Sequence, residues 1–132
     1  MSPENIFRKI IEEKIDSLGY PVAWQNVEFD PPEELYLAVS YSFRKPNDNS
    51  VGSNCEIKNA NVNIYVMEQI NTGTGNALEV VYEIEQLFKR GTTNEESNVR
   101  LMILNSPHVA GSIPTTQRMV IPIIIPVTIF IY

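Results

Sequence analysis

The side chains that could carry out catalysis are few, and they are scattered along the chain. His108 is the single histidine and Cys55 the single cysteine among the 132 residues. A nucleophilic mechanism needs such a base beside Cys55 or Ser106, and a third group that orients the base. Ser106 and His108 are close in sequence, but closeness in sequence does not supply that geometry. The sequence therefore predicts no catalytic residue, and His108 is interpreted as a solvated loop histidine.

Three pairs of adjacent acids and one glycine-rich turn also lack the spacing that a site needs. The acid pairs are Glu12-Glu13, Glu33-Glu34 and Glu95-Glu96. Neighbouring residues of a helix point apart, whereas an acid–base pair must converge in a pocket. No group of His, Cys and Asp has the spacing of metal ligands. The turn 73–76 lacks the Gly-Lys-Ser/Thr ending of a phosphate-binding loop. We therefore expect no metal, no cofactor and no enzymatic activity.

Composition indicates one globular domain, residues 1–132, with an acidic surface. The chain is 43% hydrophobic and 20% charged, and 132 residues can enclose a single core. Its net charge of −6 argues against a protein that grips nucleic acid through phosphates. A lone cysteine cannot form an internal disulfide, and the start lacks the pattern of a secretory signal. The apolar run 119–132 is too short for a membrane helix and contains two prolines. We expect assembly in a host cytoplasm, away from membranes.

Two amphipathic helices and four strands are indicated by hydrophobic spacing. Ser2 and Pro3 suit the start of the first helix, and Gly19 suits its end. Asn76 and Glu79 fit a capping box at the start of the second helix. Alternation predicts strands at 35–43, 60–67, 99–104 and 118–132, with long loops at 44–59 and 105–117. The predicted fold class is α+β, a two-layer sandwich. Two helices pack on a four-stranded antiparallel or mixed sheet in the order α-β-β-α-β-β.

The last predicted strand is apolar on both faces, which is typical of a strand that is covered on both sides. Pro122 and Pro126 each lack an N–H, and both missing donors point toward the same neighbouring strand. The sequence therefore predicts a position at a sheet edge or a bulge. Something must then cover this edge, either a second subunit or one of the long loops, and we favour a subunit. Ile121, Ile123 and Ile125 are accordingly candidate interface residues.

The segment 23–32 has the most informative composition of the chain. It contains the single tryptophan, a second aromatic residue and a proline pair, which indicate an extended segment anchored on a surface. Such a segment can pin the first helix to the sheet, and it can also form an assembly surface. Trp24, Asn26, Phe29, Pro31 and Pro32 are therefore further candidate interface residues. The segment resembles the Trp-x-Asn-x-x-Phe-x-Pro signature of phage tail-terminator-like proteins, and most of the chain follows their layout of elements.

The resemblance implies a structural virion protein that acts without turnover. It implies a homohexameric ring on the last ring of tail-tube protein, which ends tube polymerisation and joins the tail to the neck, or head-completion, protein. DNA passes through such a ring without specific binding. Four acids, Glu28, Asp30, Glu33 and Glu34, either line the lumen or only solubilise a loop. The alternatives are a head-completion or neck connector protein, and a small ligand-binding or enzymatic α+β domain with a pocket around His108.

Overall fold

The computed structural model describes residues 2–44 and 56–132. Helix α1 spans Pro3–Asp16. Its start is as predicted, because the Asn5 N–H donates to the Ser2 hydroxyl oxygen at 3.2 Å and Pro3 occupies the first turn. Its apolar stripe is buried, and Gly19 follows the helix with φ +82°, a conformation that suits glycine. The helix therefore lays one face on the core and begins and ends where its sequence indicates.

One mixed sheet of eight strands forms the second layer of the described structure. The strands are β1 Val22–Trp24, β2 Tyr36–Phe43, β3 Glu56–Gln69, β4 Thr93–Glu96, β5 Val99–Met102, β6 His108–Val109, β7 Ile113–Pro114 and β8 Arg118–Ile131. The sheet order is β1-β2-β3-β8-β5-β4, and β6 and β7 pair with β8. Only β1 and β2 run parallel among the strand pairs of the described residues. The centre is the long β3–β8 ladder, in register from Glu56↔Ile131 to Gln69↔Arg118.

The predicted fold class is wrong. The chain is mainly β, with an eight-stranded sheet in place of a four-stranded one, and its order is α-β-β-β-α-β-β-β-β-β. The strand predicted at 60–67 begins earlier, at Glu56, so the part of the predicted loop 44–59 that follows residue 55 is strand. The rest of that loop, 45–55, lies outside the described residues. The predicted loop 105–117 contains β6 and β7, which pair with β8.

The strand predicted at 118–132 was expected at a sheet edge or a bulge, and this is also wrong, because β8 lies between β3 and β5 in the sheet. The Ala110 N–H donates to the Pro122 carbonyl at 2.9 Å, so the backbone of Pro122 faces away from β3. Pro126, four residues on, faces the same side. On that side β8 pairs with β7, β6 and β5 in turn, and each proline lies in a gap between them. Because the two prolines lack N–H donors, the ladder on this side of β8 is interrupted at both. The short strands β5, β6 and β7 of the same chain pair with β8 on either side of the interruptions.

Helix α2 spans Gly75–Leu87 and buries an apolar stripe on the same face of the sheet as α1. The predicted capping box is wrong, because Thr74 is the N-cap and makes no side-chain cap. Instead, the buried carboxylate of Glu68 on β3 accepts from Asn76 Nδ2 at 3.3 Å and from the Gln69 N–H at 2.7 Å. A negative charge beside a helix N-terminus is favourable. Glu68 therefore stabilises the start of α2 from the neighbouring strand.

Candidate functional site

The Trp24 segment is a turn that leaves the sheet edge. Trp24 ends β1 opposite Val39, and its partly buried ring packs against the core. The Val27 N–H donates to the Trp24 carbonyl at 3.2 Å, and Asn26 in between has φ +61°. Asparagine tolerates this left-handed conformation better than most residues. The backbone conformation of the turn thus explains why asparagine occupies position 26, and packing against the core determines the position of the Trp24 ring.

The second half of the segment is held by Arg118 and by its cross-strand partner Gln69, whose Nε2 donates to the Glu33 carbonyl at 2.7 Å. The Phe29 ring lies 5.2 Å from the Tyr36 ring, and the Arg118 guanidinium lies 5.0 Å from the centre of the Tyr36 ring. Arg118 also donates to the backbone carbonyls of Pro32 and Glu34, the latter at 2.7 Å. The chain from Phe29 to Glu34 is therefore tied to the start of β8 by side-chain contacts, although it has no regular secondary structure.

We call residues 28–34 the acidic segment. Its four carboxylates belong to Glu28, Asp30, Glu33 and Glu34, and all four residues are exposed. Within the described residues, none of the four makes an ion pair. The structure therefore holds four negative charges on a fixed piece of backbone without neutralising them by ion pairing.

An open groove of about 360 Å³ lies beside the turn, between α1 and the edge of β2. We call it the α1–β2 groove, and it is lined by Arg8, Glu12, Trp24, Gln25, Asn26, Val27, Tyr41 and Phe43. The Gln25 side chain accepts the Tyr41 N–H at 2.7 Å, where β1 has already ended. Glu12 accepts from Arg8 at 3.1 Å and from the Tyr41 hydroxyl at 3.2 Å. Burial, followed by the Glu12 charge and hydrogen bond, raises the pKa of Tyr41. The groove is thus an aromatic surface with a charged rim.

The candidate interface residues fall into two groups. Trp24, Asn26, Phe29, Pro31 and Pro32 lie together on the Trp24 turn and the acidic segment. Ile121, Ile123 and Ile125 are buried among the side chains of the core, facing the helices. These three isoleucines have no surface to offer a partner, because the chain itself covers them.

The residues considered for catalysis are not assembled into a site. His108 is exposed on β6, opposite Ile124, and its side chain has no hydrogen bond or ion pair to another described residue. Cys55 lies outside the described residues. No group of three or more His, Cys, Asp and Glu side chains within 2–44 and 56–132 is arranged to hold a metal ion. In the same part of the chain, no helix is both long and apolar enough to span a membrane.

Two functional features were missed by reasoning from the sequence. One is Arg118, whose isolation as the only charged residue after Leu101 could have indicated a specific role. The other is the exposed apolar surface of Val27 and Phe43, which line the α1–β2 groove. Phe43 was assigned to an alternating strand, and alternation alone does not show that a strand extends past its edge neighbour.

The described residues thus form a small two-layer domain in which the groove and the acidic segment are the notable surface features. A family model for phage tail terminator proteins matches residues 5–126. The chain belongs to the phage tail terminator protein family, as its sequence predicted, and is therefore a structural component of phage tails.

Comparison with individual proteins adds the fold. One solved structure has a TM-score of 0.75 and 21% sequence identity, covering 100% of this chain and 98% of the other. At that identity the likeness shows a shared fold alone. No protein of curated function matches the sequence.

Proposed function

We propose that this protein forms a ring on the last ring of tail-tube subunits, ends tube polymerisation there, and presents its other side to the neck. The observation that carries this proposal is the match of residues 5–126 to the tail terminator family. A homohexamer is the ring that the resemblance implies. The mechanism is steric: a subunit that binds the tube end and offers no further tube-binding surface stops growth without chemical turnover.

The contacts that hold the acidic segment against the sheet support this proposal. Arg118 and the Phe29–Tyr36 ring contact hold the segment in place in the free subunit. A surface that is already ordered loses less conformational entropy when it binds. A cap that must recognise a growing tube end benefits from such preorganisation. In this reading, Phe29, Pro31 and Pro32 belong to an assembly surface as well as to a pinned loop.

We also propose that the acidic segment faces the lumen. Four carboxylates without an ion pair among the described residues would repel the DNA backbone, so the genome would pass without adhering. The test is the double substitution Glu33→Lys and Glu34→Lys, which we expect to slow genome delivery by otherwise normal virions. Glu13→Lys with Asp16→Lys on α1 gives the same change of charge elsewhere and serves as the control. Unchanged delivery with the first variant would refute the lumen role and leave the capping role intact.

Capping itself is tested by polymerising the tail-tube protein of the same phage with and without this protein. We expect shorter tubes, each ending in extra ring-shaped density in negative-stain images, at a stoichiometry of a few copies per tube. Light scattering on the free protein gives the subunit number before binding. Tubes that continue to grow at an unchanged rate, with bare ends, would refute the proposal.

A further inference from the structure

Besides Ile70, Leu104, Ile113 and Tyr132, exposed large apolar side chains occur in two pairs, each in a separate place. One is the α1–β2 groove, where Val27 is 60% and Phe43 is 51% exposed. The other is the outer side of α2, where Leu78 is 52% and Tyr82 is 57% exposed. Contiguous exposed apolar surface on a small domain marks a site of interaction. Neither place is accounted for by the acidic segment.

The outer side of α2 is a continuous ridge with a negative flank. Leu78 and Tyr82 are four residues apart, so they lie one above the other on the same helix face. Glu79 stands beside them, is exposed, and makes no ion pair with another described residue. The inward face of α2 is occupied by the core. We call Leu78, Glu79 and Tyr82 the α2 ridge.

The lining of the α1–β2 groove contains the paired Arg8 and Glu12, and a further arginine lies beside it. Arg8 lines the groove, and Arg44 follows Phe43 at the end of β2. Arg44 is exposed and has no ion pair within the described residues, while Arg8 reaches only the Glu12 carboxylate of its own helix. The groove floor is supported from below, because the Phe7 ring packs edge-on against the rings of Tyr41 and Phe43 at 5.7 and 5.8 Å. The groove therefore has an aromatic floor that packs on the core, with Arg8 and Arg44 beside it.

We propose that the α2 ridge of one copy docks in the α1–β2 groove of the next copy. This inference rests on the proposed ring and names its subunit contact. Leu78 and Tyr82 cover the exposed Val27 and Phe43, and Glu79 meets Arg44. Trp24 lies in the groove, and tryptophan, tyrosine and arginine are the residues that most often dominate binding energy at interfaces.

The two surfaces are different, so the contact is head-to-tail. Each copy that uses its ridge still has a free groove, and a rotation that brings the last copy back to the first closes a ring. A two-fold dimer would instead place the same surface of both copies together. This difference gives the inference a sharp test.

The test is disulfide trapping in a Cys55→Ser background. Val27→Cys and Leu78→Cys are purified separately, mixed and oxidised, and we expect a covalent dimer in the mixture at least tenfold above either protein alone. The double variant Val27→Cys/Leu78→Cys should give a ladder that stops at the ring number. The matched control mixes Val27→Cys with Ile113→Cys, which replaces an equally exposed residue on β7. Trapping of Val27→Cys with itself, or with Ile113→Cys, at the same yield would overturn the inference.

Charge reversal gives an independent measurement. Arg44→Glu and Glu79→Arg should each reduce trapping about tenfold, and the two together should restore it. A combined variant no better than either single one would contradict the pairing. Where the free protein is monomeric by light scattering, the oxidation is run on capped tail tubes. Tubes that are capped but show no Val27–Leu78 disulfide refute this contact alone, whereas wild-type protein that fails to cap tubes refutes the proposed function.

Discussion

Arg118 is the residue whose replacement tests most directly how the acidic segment is held. Its guanidinium donates to the Pro32 carbonyl and to the Glu34 carbonyl at 2.7 Å, and a longer contact of 3.5 Å reaches the Met67 carbonyl. It also lies over the Tyr36 ring. Gln69 Nε2 also donates to the Glu33 carbonyl at 2.7 Å, but Arg118 makes the larger share of the contacts, so the position of the segment should depend strongly on Arg118.

The expected loss of unfolding free energy on replacing Arg118 follows from its two shorter hydrogen bonds and its contact with the Tyr36 ring. A hydrogen bond to a charged group contributes about 1.5–3 kcal/mol. A cation over an aromatic ring contributes about 0.5–1 kcal/mol at an exposed site. Water replaces part of these contacts because Arg118 is only half-buried. We expect Arg118→Met to lower the free energy of unfolding by about 2–4 kcal/mol, and Arg118→Lys by about 1–2 kcal/mol, since lysine lacks the planar fork.

Urea denaturation measures this change. With a slope of about 2 kcal/mol per molar urea, the middle of the usual range, Arg118→Met should lower the midpoint by about 1–2 M. Hydrogen exchange in residues 29–36 should accelerate, while exchange in the β3–β8 ladder should change far less. Arg100→Met is the matched control, because Arg100 is exposed and pairs with Glu95 only at 3.4 Å. An Arg118→Met variant as stable as that control, with unchanged exchange in 29–36, would refute the role given to Arg118.

Three further substitutions test local structure. Glu68→Ala should lower the free energy of unfolding by about 2–4 kcal/mol, because a buried side chain and the partner of Asn76 are lost, and Glu68→Gln should lower it by less. A Glu68→Gln variant as stable as the wild type in urea would contradict the role of the Glu68 charge. Lys58→Met should cost about 0.2–1 kcal/mol at neutral pH. The Lys58 hydrogen bond lowers the pKa of Glu4, so this stabilisation is present above the unfolded pKa and is lost as the pH falls through the lowered folded value. A destabilisation by Lys58→Met that does not change with pH would contradict the role of the Lys58–Glu4 hydrogen bond. Asn26→Ala should cost about 1 kcal/mol and Asn26→Gly less, by thermal unfolding, because φ is positive there; the reverse order would be inconsistent with the turn.

The parts of the fold that could be predicted are those with a local signal. Helix α1 begins at a Ser-Pro cap and has a 3.6-residue apolar period, and both features are local. The alternation around Val39 and Ile64 likewise placed β2 and the middle of β3. In these segments the local preference and the tertiary environment agree, which is typical of natural sequences.

The rest depends on long-range pairing. The polar start of β3 at Glu56 is strand because Glu56 to Asn59 pair with the end of β8. Strand β4 has no apolar alternation, and β6 and β7 are two residues each, so only the partner strand defines them. Pro122 and Pro126 correctly indicated a broken ladder. They could not show that the fragments filling it belong to the same chain.

The candidate site was predicted in part for the same reason. The composition of the Trp24 segment was informative because tryptophan and paired prolines are rare. Its attachment to Arg118 was not readable, because a guanidinium that binds backbone carbonyls leaves no pattern in the residues that it binds. The α2 ridge was hidden as well, since Leu78 and Tyr82 add only two apolar residues to a helix that is already amphipathic.

The distribution of charge links stability to function. Arg8, Lys9, Lys58 and Arg100 each pair with an acid of the same chain, so most of the described ion pairing is internal. Among residues 2–44 and 56–132 the acidic segment has no such partner, and like charges held close together oppose folding. The carboxylates of the acidic segment therefore do not stabilise the subunit through any ion pair of the described residues. Charge reversal there should leave the folded subunit at least as stable, so any loss of genome delivery would report on the assembled tail.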